Sequence, residues 1–177
     1  MRTQGFTLLA IFLFLGACSS TEQYRESIEA TTQAWNEQQI NLKAFQDRLD
    51  QSMKDWKASY ASAQVSPLDL EGLSEGTLVK LDSLGKACKS FGPKLTSLEE
   101  RLQIFLASEW LENQKYLDQL NEGLQSGKLM GDAASQLSII ETVLTSAKDS
   151  MGDWDQQLQR LSAQSTEACA AFGQVVQ

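Results

Sequence analysis

From Leu137 to Val175 the apolar residues step by three and four in strict alternation: Leu137, Ile140, Leu144, Ala147, and so on through Ala168, Phe172 and Val175, with Ser165 the one polar member. A period of 3.5 residues sustained over this length keeps one face of a helix against a partner in a left-handed supercoil. A strand alternates every two residues and cannot carry it. The chain therefore contains at least one long packed helix, and Asp132, just after Gly131, is placed to cap its N-terminus.

Two further seams precede it. Ile28, Trp35, Leu42, Leu49, Trp56 and Ala63 recur at seven-residue intervals. Four of their companion positions are polar (Thr31, Gln38, Ser52, Ser59), which predicts a first helix that docks loosely on its neighbours. The middle seam runs from Leu81, Leu84 and Cys88 to Leu117, Leu120 and Leu124, with two consecutive four-residue steps near Leu106 that act as a stutter and locally unwind the supercoil. Gly92-Pro93 lies inside it. Proline removes a helical hydrogen bond, yet the apolar phase carries through from Phe91 to Leu95, which favours one kinked helix over two joined by a loop. Breakers cluster only at Ser66-Pro67 to Gly72 and at Gly127 to Gly131. The pattern thus predicts helices at about 22–64, 74–125 (kinked near Pro93) and 132–175, forming an all-α, elongated, antiparallel three-helix up-down-up bundle with coiled-coil-like packing.

Antiparallel packing fixes register. Residues level with each other across the second turn have numbers that add to about 257, and Cys88 and Cys169 meet that sum. The same reasoning at the first turn, with about 139 as the sum, expects Trp35 in one aromatic layer with Phe105 and Trp154.

The N-terminus carries a different signal. One charge, Arg2, precedes a ten-residue apolar run from Phe6 to Leu15. Such a run rises only ~15 Å as a helix, half a bilayer core, so it reads as a cleaved secretory signal and not as a membrane span. It ends in Leu15-Gly16-Ala17-Cys18, which resembles the lipobox of bacterial lipoproteins. The resemblance implies cleavage after residue 17, acylation of Cys18, and a very short tether over 18–21 before a single helical domain at 22–177. Ser19 stands where that family's inner-membrane retention signal would be Asp, which implies an outer-membrane anchor on a protein facing the periplasm. Export to an oxidising compartment would let Cys88 and Cys169 pair as a disulfide, the alternative being two buried free thiols.

Composition narrows the function. The sequence holds no histidine, which removes Ser-His-Asp and Cys-His catalysis and imidazole metal sites. Two cysteines without histidine are too few soft ligands for zinc. With 15 basic and 23 acidic side chains the net charge is −8, unsuited to nucleic acid. Acidic pairs such as Glu99-Glu100 and Asp153-Asp155 fall at polar helical positions, as solvated faces do. No cofactor motif is present. The expectation is a non-enzyme: a lipid-anchored structural or protein-interaction module of the envelope, bound to the membrane by its acyl chains and to an envelope protein. The alternative is a periplasmic carrier or chaperone that holds a lipid or peptide between its helices. Leu68, Leu70 and Leu73 of the first turn, with Val175, are the candidate partner contact; their competing role is to plug the end of the bundle.

Overall fold

The computed structural model describes residues 5–62, 70 and 72–176, and side chains of residues 21–62, 70 and 72–175. The chain is all-helical, with no strand among the described residues. In order come α1 (Gly5–Ser62), α2 (Glu75–Lys89), α3 (Phe91–Phe105), a π-helical turn (Leu106–Trp110), α4 (Leu111–Ser126) and α5 (Ala133–Val176).

α1 begins at Gly5 and not at 22 as expected. No proline interrupts Gly5–Ser62, and the apolar run is made of residues that propagate a helix, so α1 carries residues 18–21, the expected short tether, in its backbone. The middle stretch is helical from Glu75 to Ser126, with a break at Ser90 alone before the π turn. Pro93 has no N–H to give the carbonyl four residues back, that of Lys89, so the hydrogen-bond ladder fails there. Ser90 ends α2 with αR backbone angles, its N–H bonded to the Lys86 carbonyl (3.0 Å) and its hydroxyl to that of Ala87 (2.7 Å).

The π turn coincides with the sequence stutter. Phe105 and Trp110 are both buried and five residues apart, whereas Leu106, which the seam placed inward, is only half-buried. One extra residue in the turn returns Trp110 to the packed face.

The other termini are chemically specified. Ser74 caps α2 through its hydroxyl, which accepts from the Thr77 N–H (3.2 Å). Asp132 caps α5 by accepting from the Ser135 N–H (3.2 Å). α4 closes on Gly127, whose φ of 71° is left-handed, and the Lys128 N–H reaches back to the Gly123 carbonyl (2.9 Å).

The chain divides into two compact units, residues 1–40 with 105–148 and residues 41–104 with 149–177. In the first, Ile28, Trp35, Trp110, Leu117, Leu120 and Ile140 are buried, and the Trp35 and Trp110 rings stack at 3.7 Å. Asn121 donates to the Thr32 hydroxyl (3.1 Å), Gln136 to Gln119 (3.2 Å), and Ser146 to Glu109 (3.1 Å). In the second, Leu42, Phe45 and Leu49 of α1 are buried, as are Leu95, Leu98 and Leu102 of α3 and Trp154 and Leu158 of α5. Phe45 meets Trp154 at 5.9 Å, Ser52 shares a hydrogen bond with Ser162 (3.0 Å), and Arg101 donates to Gln157 (2.6 Å).

These contacts correct the expected aromatic layer. Trp35 faces Trp110, with Phe105 tilted 6.5 Å from it, whereas Trp154 faces Phe45. Pairs across the second turn keep the expected register: Gln119 with Gln136 in the first unit, Gly85 with Phe172 and Arg101 with Gln157 in the second. Pairs across the first turn, Trp35 with Trp110 and Trp56 with Cys88, are displaced by roughly one and a half helical turns. By that register the residue opposite Gly85 lies near Tyr60, in the last described turn of α1. Nor is the α1 seam loosely filled within either unit: Ile28, Trp35, Leu42, Phe45 and Leu49 are each at most 3% exposed.

Candidate functional site

Cys88 and Cys169 lie at disulfide distance, their Cα atoms 4.9 Å apart and 81 residues apart in sequence. Both are buried, Cys88 in the last turn of α2 and Cys169 in α5 next to the expected seam position Ala168. Cys18 and the rest of the lipobox, Leu15 to Ala17, fall in the backbone of α1, but their side chains lie outside the described residues. Described packing starts at Thr21, 5% exposed, whose hydroxyl donates to the Gly127 carbonyl (3.1 Å) in the turn that ends α4.

Of the candidate contact residues, Leu68 lies outside the described residues. Leu73 and Val175 are half-buried and pack, with Leu84, on a small core of Leu81 and Phe172. Leu70 is 36% exposed. Beside it lies an open groove of about 590 Å³ in the second unit. Leu81 and Phe172 form its apolar floor, with Tyr60, Leu70, Leu78 and Gly85 around them and Asp82, Lys86 and Lys89 adding charge. The Phe172 ring lies flat enough on α2 that a β-carbon at Gly85 would sit 3.3 Å from its Cε2 and Cζ.

A second groove in the same unit, about 650 Å³, is lined by Met53, Trp56 and Pro93 and bordered by Lys57, Glu99 and Glu100. Here the indole of Trp56 lies on Gly92: a β-carbon there would be 2.6 Å from Cζ2 and 2.8 Å from Cζ3. The indole N–H donates to the Cys88 carbonyl (2.9 Å), at the break that Pro93 imposes.

The acidic pairs sit as solvated faces do. Glu100 and Asp153 are exposed, and Asp155 pairs with Arg48 with both side chains more than a third exposed. Two cations have raised pKa values: Arg25, through its hydrogen bond to Glu22, and Lys115, through its hydrogen bond to Glu112. Both belong to solvated i,i+3 pairs, so the shifts mark surface electrostatics and not an acid–base centre. Among the described residues no group of three potential ligands surrounds a metal position, and no helix is long and apolar enough to cross a membrane.

The groove residues Leu78, Lys86 and Lys89 belong to no motif of the sequence. One signal was available: Leu78 and Val79 fall out of phase with the Leu81–Leu84–Cys88 seam, and they are 38% and 64% exposed. No known protein family, curated protein or solved structure matches this chain.

Proposed function

We propose that the protein is a lipoprotein anchored by Cys18 in the outer membrane, facing the periplasm, where its helices serve as a structural or protein-interaction module and not as an enzyme. The observation that carries the reading is Thr21. Three residues after the lipobox cysteine, its side chain is already buried and tied to the Gly127 carbonyl, so an acyl anchor would act on a packed unit with almost no slack. Several buried acyl chains, at ~0.8 kcal/mol per CH₂, would make that attachment effectively permanent. Removal of residues 1–17 would leave a charge of −9, so attraction to anionic lipid would not substitute for the anchor.

The helix directions belong to the same proposal. Gln119–Gln136 and Glu109–Ser146 in one unit, and Cys88–Cys169 and Arg101–Gln157 in the other, run in opposite chain directions, whereas Phe45–Trp154 and Ser52–Ser162 run in the same direction. This order supports an antiparallel up-down-up arrangement with heptad packing within each unit. In the oxidising periplasm the Cys88 and Cys169 thiols would be bonded. Filled seams weigh against a carrier that holds cargo between its helices: Trp35, Phe45, Leu49, Leu95, Leu98 and Leu102 are all almost fully buried. The surface assigned to a protein partner is the exposed part of the expected patch, Leu70, together with Val79.

Radiolabelled palmitate and membrane fractionation test the anchor. The chain should take up label and sediment with outer membrane, and Cys18→Ser should abolish both. A soluble, unlabelled wild-type protein would refute the reading. Crosslinking in intact cells, followed by identification of the captured protein, then tests the interaction role.

A further inference from the structure

We infer that the turn between α4 and α5 seats on the phospholipid surface beside the anchor, with the Met130 side chain entering the acyl boundary. The inference rests on the acylation of Cys18 proposed above. Thr21 follows Cys18 by three residues, a reach of at most ~10 Å even for a fully extended chain. The Thr21 hydroxyl is bonded to the Gly127 carbonyl (3.1 Å), so the turn stands next to the attachment point, and all of these residues belong to the first unit. With residues 1–17 removed, Cys18, Ser19 and Ser20 would be all of the chain that precedes Thr21, too little to cover the turn. What the turn meets beyond the protein is then the lipid that holds Cys18.

The sequence builds this turn to show one apolar side chain. Gly127 and Gly131 bracket it with left-handed backbone (φ 71° and 73°), and the Lys128 N–H is bonded to the Gly123 carbonyl (2.9 Å). Its two apolar residues then part. Leu129 is half-buried and lies on Gly123, where a β-carbon would sit 2.9 Å from the Leu129 Cδ2. Met130 stays 63% exposed. A lone methionine on a free surface needs no explanation, but one beside an acyl anchor has a medium to enter, and its unbranched, adaptable chain suits disordered hydrocarbon. Charge does not hold the turn there. Glu22, Glu122 and Asp132 stand at this end against Lys128 and Arg25, and Arg25 is itself bonded to Glu22 (2.9 Å). The contact is therefore apolar and insensitive to salt.

The test uses the lipoprotein purified from membranes and reconstituted in phosphatidylcholine nanodiscs, with its N-terminal peptide weighed by mass spectrometry for acyl groups. Met130→Cys and, as control, Leu111→Cys each carry a nitrobenzoxadiazole fluorophore; the buried Cys88 and Cys169 do not compete for it. Leu111 is equally exposed, at 62%, and begins α4 about 22 Å from its last residue, Ser126. Nitroxides on the fifth carbon of the lipid chains should quench the label at 130 at least threefold more than the label at 111. That ratio should be the same in low and molar salt, and in a Lys128→Gln background. Acylated protein in which position 130 is quenched no more than position 111, or in which salt or Lys128→Gln abolishes the difference, would overturn the inference and leave the anchor standing. Protein that carries no acyl groups would overturn both.

Discussion

If the Cys88–Cys169 bond forms, its removal should be the largest single loss of stability outside the deep core. The two residues are 81 apart in sequence, so breaking the link frees a long loop in the unfolded chain. In the chain-entropy model a loop of that length corresponds to about 4.5 kcal/mol at 25 °C, a ceiling that measured bridges often miss, with 2–4 kcal/mol more typical. At roughly 2–4 °C per kcal/mol for a chain of this size, the melting temperature should fall by about 10 °C. Differential scanning calorimetry of the full chain, wild type against Cys88→Ala, Cys169→Ala and the double variant, measures it. Either single change breaks the same bond, so each should cost nearly as much as the double. Both sites are almost fully buried, which makes alanine the least disruptive replacement. Small single losses that add up in the double variant would describe two unbonded thiols acting as small hydrophobes, and would refute the covalent pairing.

Glycine positions supply a pair of opposed predictions. Gly92→Ala should destabilise by about 1–2 kcal/mol in urea titration, because the new methyl would overlap the Trp56 ring by more than helix propensity returns, and the loss should vanish in a Trp56→Ala background. Gly152→Ala, in α5 with nothing within 4 Å of the added carbon, should stabilise by ~0.5–1 kcal/mol. Trp35→Phe should cost far less than the ~3–5 kcal/mol of Trp35→Ala, since the buried indole N–H has no hydrogen-bond partner to lose; equal costs in thermal melts would contradict that. Amide exchange over residues 28–49 of α1 should be as slow as over 137–161 of α5, because the buried α1 positions are as dry as those of α5; exchange tenfold or more faster would restore the loosely docked first helix that its polar heptad positions suggest.

Periodicity made the helices and one register legible. Asp132 marked the start of α5, Gly127 the end of α4, and the stutter near Leu106 the π turn, since each is a local backbone requirement written in one or two residues. The second-turn register followed from the short Gly127–Gly131 connection, which leaves little freedom in how α4 and α5 face each other, so Cys88 and Cys169 come level. Thr31, Ser52 and Gln38 read as gaps in the α1 seam. Yet Thr31 is buried, Ser52 is hydrogen-bonded to Ser162 and Gln38 has a partner of its own, which a hydrophobic count cannot register.

What stayed hidden was the level at which α1 packs on the middle helices. Heptads repeat every two turns, so a helix slid by one heptad presents the same kind of face and the pattern scores both positions alike. The expected first-turn register and the observed one differ by somewhat less than that, roughly one and a half turns. The choice between them falls to residues that do not repeat. Pro93 leaves the Lys89 carbonyl without its helical donor and opens the backbone at Ser90; Gly92 removes the one β-carbon that would keep a large ring away; Trp56 fills the opening and donates to the Cys88 carbonyl. No other glycine in the described part of α2 and α3 sits beside a proline-induced break, so the indole has one place to dock. With Trp56 held there, Tyr60, one turn further along α1, comes to the same groove as Gly85 and Phe172. The kink that the sequence announced as a fault in the middle helix is thus the feature that seats Trp56 and sets the level at which the first helix packs against it.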